Sequence, residues 1–170
     1  MVSDLVTVMD KPILDVEKTL IDSSSKVERW FRMEWQDHTP PFYGSVDLRN
    51  AGFKLAPVDT NLFPGGFNNL SSDMLPLAVQ AAMSAIEKYC PAAKNLLLIP
   101  ESHTRNLYYM QSVVRLMEIL RQTGLDIRLG SLSEQIVHPT PMTLPDGKTV
   151  VLYPLKRINN GRRVGLEDFS

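Results

Sequence analysis

The order of apolar runs in the middle of the chain constrains the fold more than any other feature. Asn95–Ile99 (NLLLI) is a short unbroken apolar run, which is typical of a strand covered on both faces. Two further short strands are predicted at Lys54–Val58 and Leu125–Leu129. In chain order, a predicted helix follows each of the first two of these three strands. We interpret this β-α-β-α-β order as a small parallel sheet with right-handed crossovers, and therefore as an α/β fold.

Other elements are expected on both sides of this unit. Apolar residues recur at helical spacing in four segments: Lys11–Asp22, a second segment around Trp30 and Trp35, Ser71 or Ser72 to Tyr89, and Asn106–Thr123. Turn residues between short apolar runs predict two hairpins: Ser45–Arg49 with Phe53–Val58, and Met142–Leu144 with Thr149–Tyr153. The last stretch, Lys156–Ser170, is basic and shows no further element.

Composition limits the class of protein. A chain of 170 residues that is 44% hydrophobic and 22% charged is expected to form one domain. Its net charge of −1 gives no general attraction to nucleic acid or anionic lipid, so neither is an expected partner. The first ten residues lack an export signal, and no apolar stretch approaches the roughly 20 residues of a membrane span, so we expect the cytoplasm.

Cysteine and histidine provide no evidence of metal or redox chemistry. Cys90 is the single cysteine, so the chain cannot form an internal disulfide or a CxxC motif. The three histidines, His38, His103 and His138, are too scattered for a metal-ligand spacing. We therefore predict no metal site within these residues.

Two polar loops follow predicted strands and indicate a ligand site. In an open parallel sheet, ligands bind beyond the carboxyl ends of the strands, and the loops Asp59–Leu70 and Glu101–Asn106 both leave in that direction. Glycines in these loops allow the backbone to approach a ligand closely, and asparagine amides offer hydrogen-bond donors and acceptors to it. Charged side chains of both signs would match a zwitterionic amino acid. The candidate substrate-binding residues are Lys54, Asp59, Asn61, Asn68, Asn69, Glu101, His103, Arg105 and Asn106.

A simpler interpretation of the first loop remains open. Asn, Asp and Gly also form turns by hydrogen bonding to their own backbone, and the serines after the loop are suited to capping a helix. The second loop favours function more, because six consecutive polar residues after a buried strand exceed what a connection needs. Neither loop identifies a catalytic residue.

Two long motifs resemble those of a known family. Val46–Leu70 (VDLRNAGFKLAPVDTNLFPGGFNNL) and Asn95–Leu132 (NLLLIPESHTRNLYYMQSVVRLMEILRQTGLDIRLGSL) are similar to the amino-terminal part of proteobacterial glutamate-cysteine ligases, which resemble ATP-grasp ligases. The resemblance implies a Rossmann-like domain of the pre-ATP-grasp type. It also implies an ATP- and magnesium-dependent ligase that joins glutamate and cysteine to γ-glutamylcysteine, by way of a γ-glutamyl phosphate, for glutathione biosynthesis.

The length of the chain qualifies this implication. Family members are considerably longer, and no segment here resembles a nucleotide clamp or paired metal-binding carboxylates. We therefore expect an amino-terminal domain with a helical segment (1–41), an α/β core (45–132) and a hairpin and tail (140–170) that lead to a missing ATP-binding region. Such a fragment is expected to be inactive alone. The alternative is a non-catalytic α/β module that binds a small carboxylate or a partner protein.

Overall fold

The structure, a computed structural model, describes residues 13–51, 55–63, 65–101, 107–158, 160–166 and 168–169. The chain divides into two compact units, residues 1–62 and 63–170. The expectation of a single domain stays a prediction. No helix among the described residues has the length and apolar character that crossing a membrane requires.

The first unit contains two helices and one hairpin. Helix α1 spans Ile13–Asp22, and α2 spans Ser24–Asp37 and ends before Pro40 and Pro41, as the sequence predicts. Strands β1 (Ser45–Asn50) and β2 (Leu55–Asn61) pair antiparallel, so the predicted hairpin is confirmed. None of the described side chains in this unit is buried.

The pairing of β2 contradicts two of the sequence-based expectations. It forms a separate two-stranded sheet with β1 and does not join the parallel sheet as the predicted strand Lys54–Val58 was expected to do. In addition, β2 continues through Asn61, so Asp59 and Asn61 lie in a strand and not in a loop. The physical reason is that few residues separate β1 from β2 in the sequence, and strands that are close in sequence usually pair with each other.

The second unit is built on a four-stranded mixed sheet. Its strands are β3 (Asn95–Leu98), β4 (Asp126–Ser131), β5 (Thr140–Thr143) and β6 (Thr149–Pro154), in the order β3-β4-β6-β5. Strands β3, β4 and β6 are parallel, whereas β5 is antiparallel to β6. The antiparallel pair agrees with the predicted hairpin, and Gly147 at φ 81° supplies the left-handed residue of its turn.

Two helices complete the second unit. Helix α3 (Leu75–Tyr89) follows a 3₁₀ turn at Ser72–Met74, and α4 (Leu107–Arg121) connects β3 to β4. The predicted serine cap of α3 is wrong, since Ser71 makes no side-chain capping bond; Pro76 in the first turn removes one of the N–H groups that a cap would satisfy. Gly124, at φ 91°, follows the end of α4 as predicted.

The core lies between α4 and one face of the mixed sheet. The five side chains with the least exposure are Val113, Ile119 and Leu120 of α4 and Ile127 and Leu129 of β4. Leu129 is paired with Leu98 of β3 and Leu152 of β6, so these three side chains share the helix-covered face. This packing fixes α4, and with it the residues that α4 holds at the carboxyl end of β3.

The tail also differs from the prediction. Two short strands, β7 (Lys156–Ile158) and β8 (Arg163–Gly165), pair antiparallel in a stretch where no element was expected. Asn160 and Gly161 in the connecting turn both have positive φ, at 54° and 79°. Three-residue strands carry too little periodicity for the sequence pattern to reveal them.

Candidate functional site

Glu101 lies at the carboxyl end of β3 and is held there by α4. Its backbone N–H donates a hydrogen bond to the hydroxyl oxygen of Tyr109, with 3.0 Å between the two atoms. Burial raises the pKa of Tyr109, and the charge of the Glu101 carboxylate raises it further, against the opposing effect of the backbone hydrogen bond. The tyrosine therefore keeps its proton at neutral pH and fixes the start of the polar loop that follows β3.

Asn68 and Asn69 lie in a 3₁₀ turn, Phe67–Asn69, that is also held by α4. The backbone N–H of Phe67 donates to the hydroxyl oxygen of Ser112 over 3.1 Å, and Ser112 is only 3% exposed. Gly66, at φ 72°, turns the chain into this position. The two asparagine side chains are exposed and carry amide groups suited to a polar ligand.

Tyr109 and Ser112 together explain how two distant segments are placed by one helix. They are three residues apart in α4 and so face the same side, about one turn from each other. One holds Glu101 and the other holds the turn with Asn68 and Asn69. The expectation that both polar loops leave neighbouring strands of one sheet is wrong, but α4 anchors the later part of the first loop and the start of the second.

Asp59 and Asn61 belong to the first unit. Both are exposed on β2, and the Asn61 side-chain amide donates to an oxygen of the Asp59 carboxylate over 3.3 Å. Residues two apart in a strand face the same side, which explains this contact. Glu101 and the asparagine pair belong to the second unit, so a site shared by all five residues stays a prediction.

The remaining candidates lie outside the described residues. These are Lys54, His103, Arg105 and Asn106. Their proposed contacts with a substrate stay predictions. Among the residues that are described, no three His, Cys, Asp or Glu side chains are grouped so that they could hold a metal ion.

Tyr109 and Ser112 are not among the residues that the sequence predicts for the site. A signal was present in α4, because Ser112 is a polar residue next to Val113 and Val114 in the middle of an apolar helix. A buried hydroxyl needs a partner, and the turn with Phe67 provides it. Polar residues at helical spacing on an apolar face therefore indicate where a loop is attached.

Glu101, Asn68 and Asn69 carry groups that suit a small polar ligand, and their binding of one stays a prediction. The Glu101 carboxylate accepts hydrogen bonds, and the Asn68 and Asn69 amides both donate and accept them. Each group is carried by backbone that α4 fixes through a hydrogen bond.

Comparison with known proteins identifies the family. A sequence model of the family described as glutamate-cysteine ligase matches residues 17–170. The chain belongs to the glutamate-cysteine ligase family. The resemblance found in the two sequence motifs is therefore confirmed.

A solved structure of this glutamate-cysteine ligase family agrees with the match. The chain is similar to a protein from Methylobacillus flagellatus KT that carries the provisional name gamma-glutamylcysteine synthetase, with 55% sequence identity and a TM-score of 0.80. The similarity covers 98% of this chain and 39% of that chain, so this chain spans about two fifths of the relative's length. No curated protein matches the chain.

Proposed function

We propose that the chain is the amino-terminal part of an ATP-dependent glutamate-cysteine ligase, a carbon-nitrogen ligase that forms γ-glutamylcysteine by way of γ-glutamyl phosphate. The observation that supports this proposal is the family match over residues 17–170. The relative from Methylobacillus flagellatus KT supports it further, because its provisional name is gamma-glutamylcysteine synthetase. The proposed location is the cytoplasm.

The proposed fold type is a Rossmann-like domain of the pre-ATP-grasp kind. Three parallel strands, β3, β4 and β6, with α4 packed on one face support this assignment. Such sheets bind ligands at the carboxyl ends of their strands, which is where Glu101 lies. The proposed substrate edge therefore includes Glu101 and the asparagine pair of the 3₁₀ turn.

The role of this edge is to bind amino-acid substrate and hold it in one orientation. Glu101 accepts from an ammonium group, and Asn68 and Asn69 bind a carboxylate through their N–H groups. Side chains that hold both substrates in the reacting orientation reduce the entropy cost of bringing the substrates together. This reduction is a large part of the rate acceleration that a ligase provides.

ATP and magnesium are proposed to bind mainly outside these 170 residues. The described part of the chain offers no cluster of carboxylates for a magnesium ion. When bound, ATP would supply the phosphoryl group that activates the γ-carboxylate of glutamate. The 170-residue chain alone is accordingly expected to have no ligase activity.

The test uses a protein of the relative's full length that contains these 170 residues. We expect ADP formation that requires both glutamate and cysteine. Glu101→Gln should lower kcat/KM at least about tenfold, since a hydrogen bond to a charged group contributes about 1.5–3 kcal/mol. Glu87→Gln, which removes an exposed carboxylate from α3, is the matched control and should leave kcat/KM unchanged.

Three results would contradict the proposal or part of it. ADP formation that does not depend on cysteine would exclude the ligase reaction. Equal kcat/KM for Glu101→Gln and Glu87→Gln would exclude the proposed edge while leaving the reaction intact. Binding of glutamate without any turnover would instead support the non-catalytic module.

A further inference from the structure

Strands β4 and β6 separate at their amino ends. They are parallel neighbours, but their pairing begins only at Leu129 and Leu152, so Asp126–Arg128 and Thr149–Val151 are not paired with each other. A cavity of about 350 Å³ opens at this separation. We call it the fork pocket, and its polar lining comes from Arg121, Asp126, Arg128, Thr149 and Tyr153.

Arg121 takes the place of the missing strand partner. The backbone N–H of Asp126 donates to the carbonyl oxygen of Lys94, on the side of β4 that faces β3. The backbone groups of successive residues in a strand point to opposite sides. The carbonyl of Ile127 therefore points toward β6. A guanidinium N–H of Arg121 donates to that carbonyl oxygen over 3.3 Å. At this carbonyl, the side chain of Arg121 therefore replaces the hydrogen bond that a neighbouring strand would supply.

Arg128 is held at the fork by aromatic rings. Its guanidinium lies over the ring of Tyr153, 5.2 Å from the centroid, and over that of Phe169, 4.4 Å from the centroid. Contact with ring faces fixes the plane of a guanidinium and leaves the N–H groups at its edge for acceptors. Half-buried Arg128 makes no ion pair with any described residue.

The charges around the pocket favour an anion. Arg121 and Arg128 supply two positive charges, and Asp126 supplies one negative charge at the exposed start of β4. Thr149 adds a hydroxyl group that can donate. A planar guanidinium with a free edge binds two oxygens of a carboxylate or phosphate group at once.

We propose that the fork pocket is a binding site for a small oxyanion, whose carboxylate or phosphate group is bound by Arg128. The pocket lies at the amino ends of β4 and β6, whereas Glu101 lies past the carboxyl end of β3. It is therefore a second site, separate from the proposed substrate edge. Its volume lies within the range of small-molecule sites.

The test is a titration of the ¹⁵N-labelled 170-residue chain, followed by amide chemical shifts. Inorganic phosphate and L-glutamate are added in separate titrations at constant ionic strength, so that phosphate and carboxylate sources are distinguished. We expect saturable shifts of the amides of Asp126–Arg128 and Thr149–Val151 with at least one of the two. Arg128→Gln should weaken that binding at least about tenfold, and Arg128→Lys should restore only part of it.

Arg162→Gln is the matched control, because it removes the same charge from an exposed arginine in the tail. It should leave the affinity unchanged. The proposal is overturned if neither anion shifts the fork amides of the unsubstituted chain, a result that does not depend on whether any variant folds. It is also overturned if folded Arg128→Gln and Arg162→Gln bind with equal affinity, and both results are independent of ligase activity.

Discussion

The carboxylate of Glu118 in α4 accepts hydrogen bonds from two positively charged side chains that come from different parts of the second unit. Arg115 donates to one carboxylate oxygen over 3.0 Å, and Lys148 in the turn between β5 and β6 donates to the other. Burial acts to raise the pKa of Glu118, but the hydrogen bonds and charges of Lys148 and Arg115 outweigh it, and the pKa is lowered. The carboxylate therefore ties the β5–β6 turn to α4.

Replacing Glu118 should remove a pH-dependent part of the stability. A carboxyl group with a lowered pKa in the folded protein stabilises it above the ordinary pKa of 4.5, and this contribution is lost as the pH falls through the lowered value. We expect Glu118→Gln to lower the free energy of unfolding by about 1 kcal/mol at neutral pH, a modest value because the site is partly exposed. Urea unfolding at neutral and acidic pH measures the difference, which should shrink in acid. Glu87→Gln should have little effect at either pH, and a constant difference for Glu118→Gln would contradict the argument.

Single residues also show what sequence reasoning can find. Glu101 is a predicted site residue because six consecutive polar residues after a buried strand exceed the needs of a connection, and the asparagine pair is predicted because its amides offer donors and acceptors; both stay predictions. Asp59 and Asn61 were placed in a loop, although they lie in β2, because the turn-forming residues beyond them hide the end of the strand. The anchors Tyr109 and Ser112 are harder to predict, because the sequence shows polar residues within an apolar helix but not the distant backbone groups to which they are hydrogen-bonded.

Among the elements, α4 connects the core to the proposed substrate edge. Its most buried side chains pack on the sheet, and Ser112, on the same helix, holds the Phe67–Asn69 turn. The long apolar pattern of α4 made both its existence and its approximate bounds predictable. The sheet membership of β2 was not predictable in the same way, because a short strand pattern is the same whichever neighbour it pairs with.

Removing the Ser112 hydroxyl should release the turn without removing α4. Ser112→Ala leaves the Phe67 N–H without the oxygen that it now reaches, at a cost of about 1–3 kcal/mol for a buried group. We expect faster amide hydrogen exchange at Phe67–Asn69 and little change in the helix content measured by circular dichroism. Ser84→Ala, at an exposed position of α3, is the control and should leave exchange in the turn unchanged. Unchanged exchange in Ser112→Ala would show that other contacts hold the turn.

At the scale of the whole molecule, burial is distributed unequally between the two units. All buried apolar side chains found among the described residues lie between Leu98 and Leu152, in the second unit. In the first unit, α2 leaves Trp30 46% and Trp35 56% exposed. Since apolar burial is the main source of stability, the first unit has little of its own.

We therefore expect the two units to unfold in separate transitions. Both tryptophans of the chain lie in α2, so tryptophan fluorescence reports only on the first unit, whereas far-ultraviolet circular dichroism reports on both. In urea, the fluorescence transition should come at a lower concentration than the main dichroism transition, which a two-state protein would not show. Coincident transitions would mean that the units unfold together.

Gly130→Ala provides the selective perturbation for this experiment. A Cβ at Gly130 of β4 would lie 2.5 Å from Cδ2 and 2.9 Å from Cγ of Leu155, so the leucine side chain must move. Overpacking of this kind costs about 1–3 kcal/mol, and it should shift the main dichroism transition to lower urea while the fluorescence transition stays in place. Gly44→Ala is the matched control, since its Cβ would make only ordinary contacts at 3.6 and 3.9 Å. If Gly130→Ala shifts both transitions equally, the stability of the first unit depends on the core around α4.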